Sequence, residues 1–251
     1  MFSEERRIRI MDIINSGKTV TVEELSKMLD VSESTIRRDL KYLEGKGLIH
    51  RTHGGAMNPL PTNYEPTFLE KKEEMIDEKK AIGRKAASLI EDGDTVIIDS
   101  GTTTMEIVRN LSVNRAKIVT NSPHAAIELQ YRQGIEVILT GGMLRYETQA
   151  LVGPIADELI QRIKADKAFI GTNGITLDGF TTPNVVEAAT KRNMVRNAEK
   201  VYIVADSTKF NKASFMRFAD LDEVDCIITD SKLPEDVYNE FSGNGIDIIK
   251  V

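Results

Sequence analysis

A single cysteine among 251 residues excludes an internal disulfide framework. Cys226 sits in the apolar run "VDCIITD", where a buried, unreactive thiol is expected. No apolar run approaches the ~20 residues that span a bilayer as a helix. The opening "MFSEERRIRIMDII" lacks the uninterrupted apolar stretch and small-residue cleavage site of a secretory signal. A cytoplasmic protein without membrane contact is therefore expected. His50, His53 and His124 show no metal-ligand spacing. The nucleotide P-loop pattern, a G-x-G-x-x-G after a strand and a G-x-S-x-G elbow are all missing. These absences argue against nucleotide, dinucleotide and serine-hydrolase chemistry, and they leave no metal, cofactor or catalytic residue to assign.

What is present reads as a globular protein, 41% hydrophobic and 29% charged, long enough for one large domain or two unequal ones. The net charge of −6 is unevenly spread: residues 1–57 hold ten Lys/Arg against nine Asp/Glu, so the remainder carries −7. A mildly basic module joined to an acidic one suits a partner that is polyanionic at one end only.

The first 57 residues read as three helices and a hairpin. The first helix, from about Ser3, places Ile10, Ile13 and Ile14 on one face. "TVEELSKML" opens with Thr21 and Glu24 in capping-box spacing, with Leu25, Met28 and Leu29 as its expected buried stripe. Ser32 then caps a third helix whose apolar positions are Ile36, Leu40 and Leu43. If these face inward, Ser34, Arg37, Arg38 and Lys41 share the outer face. That is helix-turn-helix geometry, in which the second helix of the pair enters the major groove of double-stranded DNA. Arginine bonds guanine bidentately, while serine, threonine and lysine hold phosphates. "GLIHRTHGGA" reads as two short strands around a turn, a wing that carries Arg51 and His53 toward a groove or the backbone. A merely solvated amphipathic helix is the alternative, but the full order of helix, capped helix, turn, basic helix and wing favours DNA.

"TVEELSKMLDVSESTIRRDLKYLEGKGLIHRTHGGA" resembles the N-terminal winged helix-turn-helix of the DeoR family of bacterial transcription regulators, with "STIRRDL" and "R-x-HGGA" as the matching signature. The resemblance implies that Ser34, Thr35, Arg37, Arg38 and Lys41, with Arg51 and His53 of the wing, contact operator DNA.

Three of the seven prolines fall within eight residues of "MNPLPTNYEPTFLEKKEEMIDEKK", which points to a linker over 58–73. From residue 74 to 251, helical stretches alternate with apolar strands. "TVIIDSGTTT", "KIVTNS", "EVILTGG", "KAFIGTNG", "VYIVADSTK", "DCIITD" and "GIDIIKV" make a mainly parallel sheet covered on both faces. Most of these strands run into Thr, Asn, Gly, Asp or Ser, and ligands bind outside the carboxyl ends of such strands.

In "DSGTTTMEIVRNL", Gly101 allows a tight turn, and a helix starting near Thr103 aims free N–H groups outward beside the hydroxyls of Ser100, Thr102, Thr103 and Thr104. The helix terminus carries about +0.5 charge, so a phosphate fits. Ordinary Ser/Thr capping is the alternative. "GTNGITLDGF" adds Gly171, Asn173 and Gly174, and "ADSTKF" adds Asp206 and Lys209.

Residues 75–250 resemble the family's C-terminal effector-sensing domain, similar in fold to ribose-5-phosphate isomerase. The resemblance implies a phosphorylated sugar or related metabolite as effector, held by "DSGTTT" with Lys209 nearby, and adds Asp99, Thr120, Asn121, Gly141, Gly142, Arg145 and Glu187 to the pocket. The expected protein is a ligand-controlled transcriptional regulator, a repressor of sugar-metabolism genes, working as a homo-oligomer (dimer or tetramer) on symmetric sites. The alternative is a sugar-phosphate isomerase-like enzyme with an appended DNA-binding domain. Against it, "GTNGIT" stands where the isomerases carry an acidic "DGADE"-like loop, so Thr172 and Asn173 occupy positions that catalysis would fill with carboxylates.

Overall fold

The computed structural model describes residues 3–15, 20–46, 48–52, 54–57 and 65–251; at 15, 50–52 and 57 only the backbone is described. The chain divides into two compact units, Met1–Tyr64 and Glu65–Val251.

The first unit contains α1 (Ser3–Asn15), β1 (Val20–Thr21), α2 (Val22–Leu29), α3 (Glu33–Gly45), β2 (His50–Thr52) and β3 (Gly55–Met57). Local chemistry sets the breaks. Thr21 accepts from the Glu24 amide at 3.1 Å while Glu24 accepts from the Thr21 amide at 2.8 Å, so each end group of α2 is satisfied by the other. Asp30, left-handed at φ 52°, ends α2, and Ser32 caps α3. Ile10, Ile14, Val22, Leu25, Leu29, Ile36, Leu40 and Leu43 close one core. Met28 departs from the expected stripe: it is 62% exposed, because α2 starts at Val22 and buries the 22, 25, 29 face instead. Strand β3 pairs antiparallel with both β2 (Arg51 opposite Ala56) and β1 (Val20 opposite Ala56), which forms the expected wing.

The second unit opens with α4 (Phe68–Lys72) and α5 (Ile76–Ala87). It continues through β4 (Thr95–Ile98), α6 (Thr102–Arg109), β5 (Ala116–Thr120), α7 (Pro123–Leu129), β6 (Ile135–Leu139), β7 (Met143–Leu144), β8 (Leu151–Val152) and α8 (Pro154–Gln161). Then come β9 (Ala165–Gly171), β10 (Gly174–Thr176), β11 (Gly179–Thr182), α9 (Val185–Arg196), β12 (Ala198–Val204), β13 (Met216–Ala219), β14 (Cys226–Thr229), α10 (Glu235–Gly243) and β15 (Asp247–Lys250). The main sheet is seven-stranded and parallel in every pair, in the order β15–β14–β12–β9–β4–β5–β6. Alternate residues of one strand feed opposite cores: Val96 and Ile98 pack with α5, α6 and α7, whereas Ile97 packs with α8, α9 and α10. Two antiparallel ribbons, β7–β8 and β10–β11–β13, were not expected from the sequence.

The expected linker over 58–73 is too long at its C-terminal side. Thr67 and Glu70 form a second capping box, Phe68 is buried and stacks on His124 at 5.0 Å, and the Phe68 amide bonds Glu147 O at 2.6 Å. Residues 65–73 therefore belong to the sheet unit.

Candidate functional site

On α3 the side chains of Ser34, Arg37, Arg38 and Lys41 are exposed and Thr35 is half-buried, as the apolar spacing requires. Arg37 is tied to Glu33 one turn earlier at 2.8 Å, an exposed pair that costs little to break. The helix is anchored from below. Asp39, almost fully buried, accepts from Arg6 Nε at 2.5 Å and Arg7 Nε at 2.9 Å, which fastens α3 to α1. Sequence reading passed over Asp39, since one acid beside two arginines gives no local sign that it points inward. Of the wing residues, Arg51 is placed in β2 by its backbone, and His53 lies outside the described residues.

In the second unit, sheet order reverses between β4 and β9, whose successive crossovers cover opposite faces. This is the switch point at which open α/β sheets place their ligands. There Asp99 Oδ2, just beyond β4, accepts from the amide of Gly171, the last residue of β9, at 3.1 Å. A cavity opens beside this junction, with about 670 Å³ of unfilled space including its mouth. It is lined by Ser100 to Thr104, Gly171 to Asn173, Glu187 and Lys191, Asp206 and Lys209, and by Phe68, Lys71, Glu74, Lys79, Thr148, Val204 and Ala205.

Among the described residues no side chain caps α6, nor α5, α8 or α10, whereas Thr21, Ser32, Thr67, Ser122 and Asn184 cap other helices. Thr104 Oγ1 donates to Gly101 O at 3.0 Å, and Ser100 Oγ donates to Thr148 O at 3.2 Å. The hydroxyls are thus not spent on the first amides of α6, which have no side-chain partner among the described residues and belong to residues that line the cavity. This removes the capping alternative. Gly101 itself is extended, at φ 174°, rather than in a tight turn; a Cβ there would meet Thr104 Oγ1 alone, at 3.2 Å.

A buried charge network lies beneath. Lys191, 2% exposed, donates to Asp99 Oδ2 and to Gly171 O, and stands 3.6 Å from Glu187. Glu187 Oε2 accepts from Arg145 at 2.6 Å, and Arg145 also reaches Glu65 at 2.8 Å. Burial opposes charge on Lys191, but Asp99 and Glu187 outweigh it and hold the ammonium above the ordinary lysine value. Burial likewise opposes charge on Glu187, and Lys191 with Arg145 holds its carboxyl below the usual range. Burial pushes Asp99 up.

Residues 6–60 match the DeoR-like helix-turn-helix domain, and residues 74–231 match the DeoR C-terminal sensor domain. The HTH-type transcriptional regulator GlpR of Haloferax volcanii is 42% identical over 99% of this chain and 98% of its own. The chain belongs to the DeoR family of transcriptional regulators. Other DeoR-family relatives are the HTH-type transcriptional repressor GlcR of Bacillus subtilis, 36% identical over 99% of this chain and 96% of its own, and the lactose phosphotransferase system repressor of Lactococcus lactis, 36% identical over 96% of each. Among solved structures, a D-ribose-5-phosphate isomerase in complex with phospho-erythronic acid aligns with a TM-score of 0.41 and 15% identity over 54% of each chain. That likeness is too loose to transfer chemistry, and the relatives that match throughout are named as regulators rather than enzymes.

Within this DeoR-family sensor unit, Ser100, Gly101, Thr102, Thr103, Thr104, Gly171, Asn173, Glu187, Asp206 and Lys209 line the cavity, and Asp99 bonds the Gly171 amide beside it. Thr120, Asn121, Gly141, Gly142, Arg145 and Gly174 are not among its lining residues. Each has a structural duty instead. Thr120 Oγ1 accepts from the Ser122 amide at 3.1 Å, and Asn121 Oδ1 accepts from the Ser100 amide at 2.7 Å, which braces the loop from behind. Arg145 holds Glu187. Gly141 and Gly142 have φ of 71° and 112°, and a Cβ on Gly142 would come within 2.7 Å of Val152 O. A Cβ on Gly174 would come within 2.3 Å of Lys212 O. Lys71, Lys79, Thr148, Thr172 and Lys191 line the cavity without having been expected there. Lys191 carried one readable signal, its i+4 spacing from Glu187.

Proposed function

We propose that this DeoR-family regulator is a repressor of sugar-metabolism genes, acting in the cytoplasm, whose grip on operator DNA is modulated by a phosphorylated sugar or related metabolite bound in the switch-point cavity. The observation that carries the effector site is the uncapped N-terminus of α6 opening into a cavity that Lys209 also lines. Unpaired amides, a helix dipole and an ammonium are what a phosphoryl group needs, and the hydroxyls and carboxylates alongside suit the rest of a sugar. The partially exposed face of α3, with Ser34, Thr35, Arg37, Arg38 and Lys41, is the DNA-reading surface, with Arg51 and His53 of the wing as further contacts. A homo-oligomer, dimer or tetramer, presents paired reading helices to symmetric half-sites.

By linkage, the effector weakens operator binding by the same factor as operator weakens effector binding. The test is a thermal-shift screen of the full chain against phosphorylated sugars, followed by titration of the active one with and without a duplex from the protein's own promoter region. A rise in melting temperature and unequal affinities in the two titrations support the reading. No shift from any phosphorylated sugar, or equal affinities, refutes it.

A further inference from the structure

Four lysines line the cavity, and two of them are already committed. Lys191 donates to Asp99 and Gly171 O. Lys79 donates to the carbonyls of Lys71 and, at 2.7 Å, Glu74, and so pins the C-terminal end of α4. Lys71 and Lys209 differ. Their carboxylate neighbours, Glu65 Oε1 at 3.8 Å and Asp206 Oδ2 at 3.9 Å, lie beyond hydrogen-bond length, and neither ammonium makes a side-chain hydrogen bond among the described residues. Burial holds Lys71 below the ordinary lysine value, and repulsion from Lys191 and Lys209 adds to this against the pull of Glu65 and Glu187. A nearby dianion removes that conflict.

The surroundings of Lys71 contain further unmet bonding capacity. Among the described residues Thr148 Oγ1 is buried without a hydrogen-bond partner and lines the cavity, where its O–H can donate to a phosphoryl oxygen. Lys71 also occupies a particular place in the chain. It lies on α4, the first helix of a unit that begins at Glu65.

We propose that Lys71 binds the phosphoryl group of the effector together with Lys209, and that α4 thereby registers occupancy of the cavity at the point where the sensor unit begins. This rests on the cavity being the phosphoryl site. An anion competes with Glu65 for Lys71, so Glu65 is left to Arg145, and the short helix between them becomes one wall of a filled site. Ligand binding and the order of residues 65–74 are then a single equilibrium.

The experiment uses the full chain, with inorganic phosphate and glucose 6-phosphate as probes. Binding is read by calorimetry and local order by hydrogen exchange across residues 65–76. Wild type is expected to bind at least one probe, with slower exchange in α4 on saturation. Lys71→Met and Lys71→Gln, each checked for an unchanged circular dichroism spectrum, are expected to bind about tenfold or more weakly, as loss of a charge-assisted bond requires, and to show no slowing. Lys71→Arg is expected to retain binding. If wild type binds, Thr102→Glu does not, and the Lys71 variants bind within about twofold of wild type, Lys71 is not a ligand and the proposal fails alone. Exchange in α4 that ignores saturating ligand also overturns it. No binding of either probe by wild type overturns this inference, because inorganic phosphate carries the group assigned to Lys71 and Lys209, while the cavity reading then stands or falls on the thermal-shift screen.

Discussion

The buried ammonium of Lys191 donates to the carboxylate of Asp99, which joins the middle of α9 to the end of β4 across 92 residues of sequence. Because Asp99 also takes the Gly171 amide, this pair fixes the two strand ends between which the cavity opens.

Removing one member of the pair strands a charge in the interior. Lys191→Met and Asp99→Asn are each expected to destabilise the sensor unit by about 3–5 kcal/mol. The double variant is expected to recover part of the loss, since neither charge is then left alone. Urea unfolding of the four proteins measures the coupling; strictly additive losses would show that the two groups do not act together.

On the DNA-binding unit, Arg37→Ala and Arg38→Ala are each expected to weaken operator binding by about 1–3 kcal/mol with unchanged melting behaviour. Asp39→Ala is expected to do the reverse in kind, with loss of stability first, because it leaves Arg6 and Arg7 without their shared acceptor. Fluorescence anisotropy with a promoter duplex, paired with thermal melts, separates the two classes.

Thr102→Glu places a carboxylate at the uncapped start of α6, where it satisfies the free amides and repels a phosphoryl group. Effector response is expected to vanish while operator affinity in the absence of effector stays at the wild-type level. Gel-shift titration with the active sugar phosphate checks both halves.

Burial holds Lys71 and Lys79 below the ordinary lysine value. Their protonated forms attract an anion, so affinity is complete below those lowered values and falls as pH rises through them, earlier than a free lysine would impose. A phosphate monoester gains its second charge near pH ~6. Effector affinity is therefore expected to rise through that region, level off, and decline on the alkaline side. Calorimetric titration across pH gives the profile, and an affinity that keeps rising into the alkaline range would contradict it.

Burial also pushes the Cys226 thiol up to about 11, with Asp247 and Asp225 adding to it. Iodoacetamide at pH ~8 is expected to leave the native protein unmodified and to react once urea exposes β14, since only the thiolate attacks. Mass spectrometry of the two samples decides this.

The sequence made those features legible that depend on near neighbours. Thr21 with Glu24 announced α2, and the spacing of Ile36, Leu40 and Leu43 oriented α3, so the outward arginines followed. Each apolar run in the second half became a strand of the parallel sheet. Less visible was what depends on chain segments meeting. Lys191 showed only its spacing from Glu187, because Asp99 is brought to it by the sheet and not by proximity in sequence. The same holds for Arg145, whose partners Glu65 and Glu187 lie 80 residues before it and 42 residues after it. Two signals were present but outweighed. Thr67 and Glu70 have capping-box spacing, yet Pro59, Pro61 and Pro66 pulled the reading toward a linker. Gly179, at φ 124° just after the Leu177-Asp178 loop, lets β11 turn back on β10, yet that glycine lies in sequence between apolar strands of the main sheet and gives no strand signal of its own.

The early start of the sensor unit has a practical side. A fragment trimmed to residue 74, where the match to the sensor-domain family begins, discards the aromatic ring on His124, one of the acids that Arg145 grips and one wall of the cavity. Such a truncated piece would titrate poorly for reasons of surgery, whereas one cut ahead of Glu65 keeps the vessel whole.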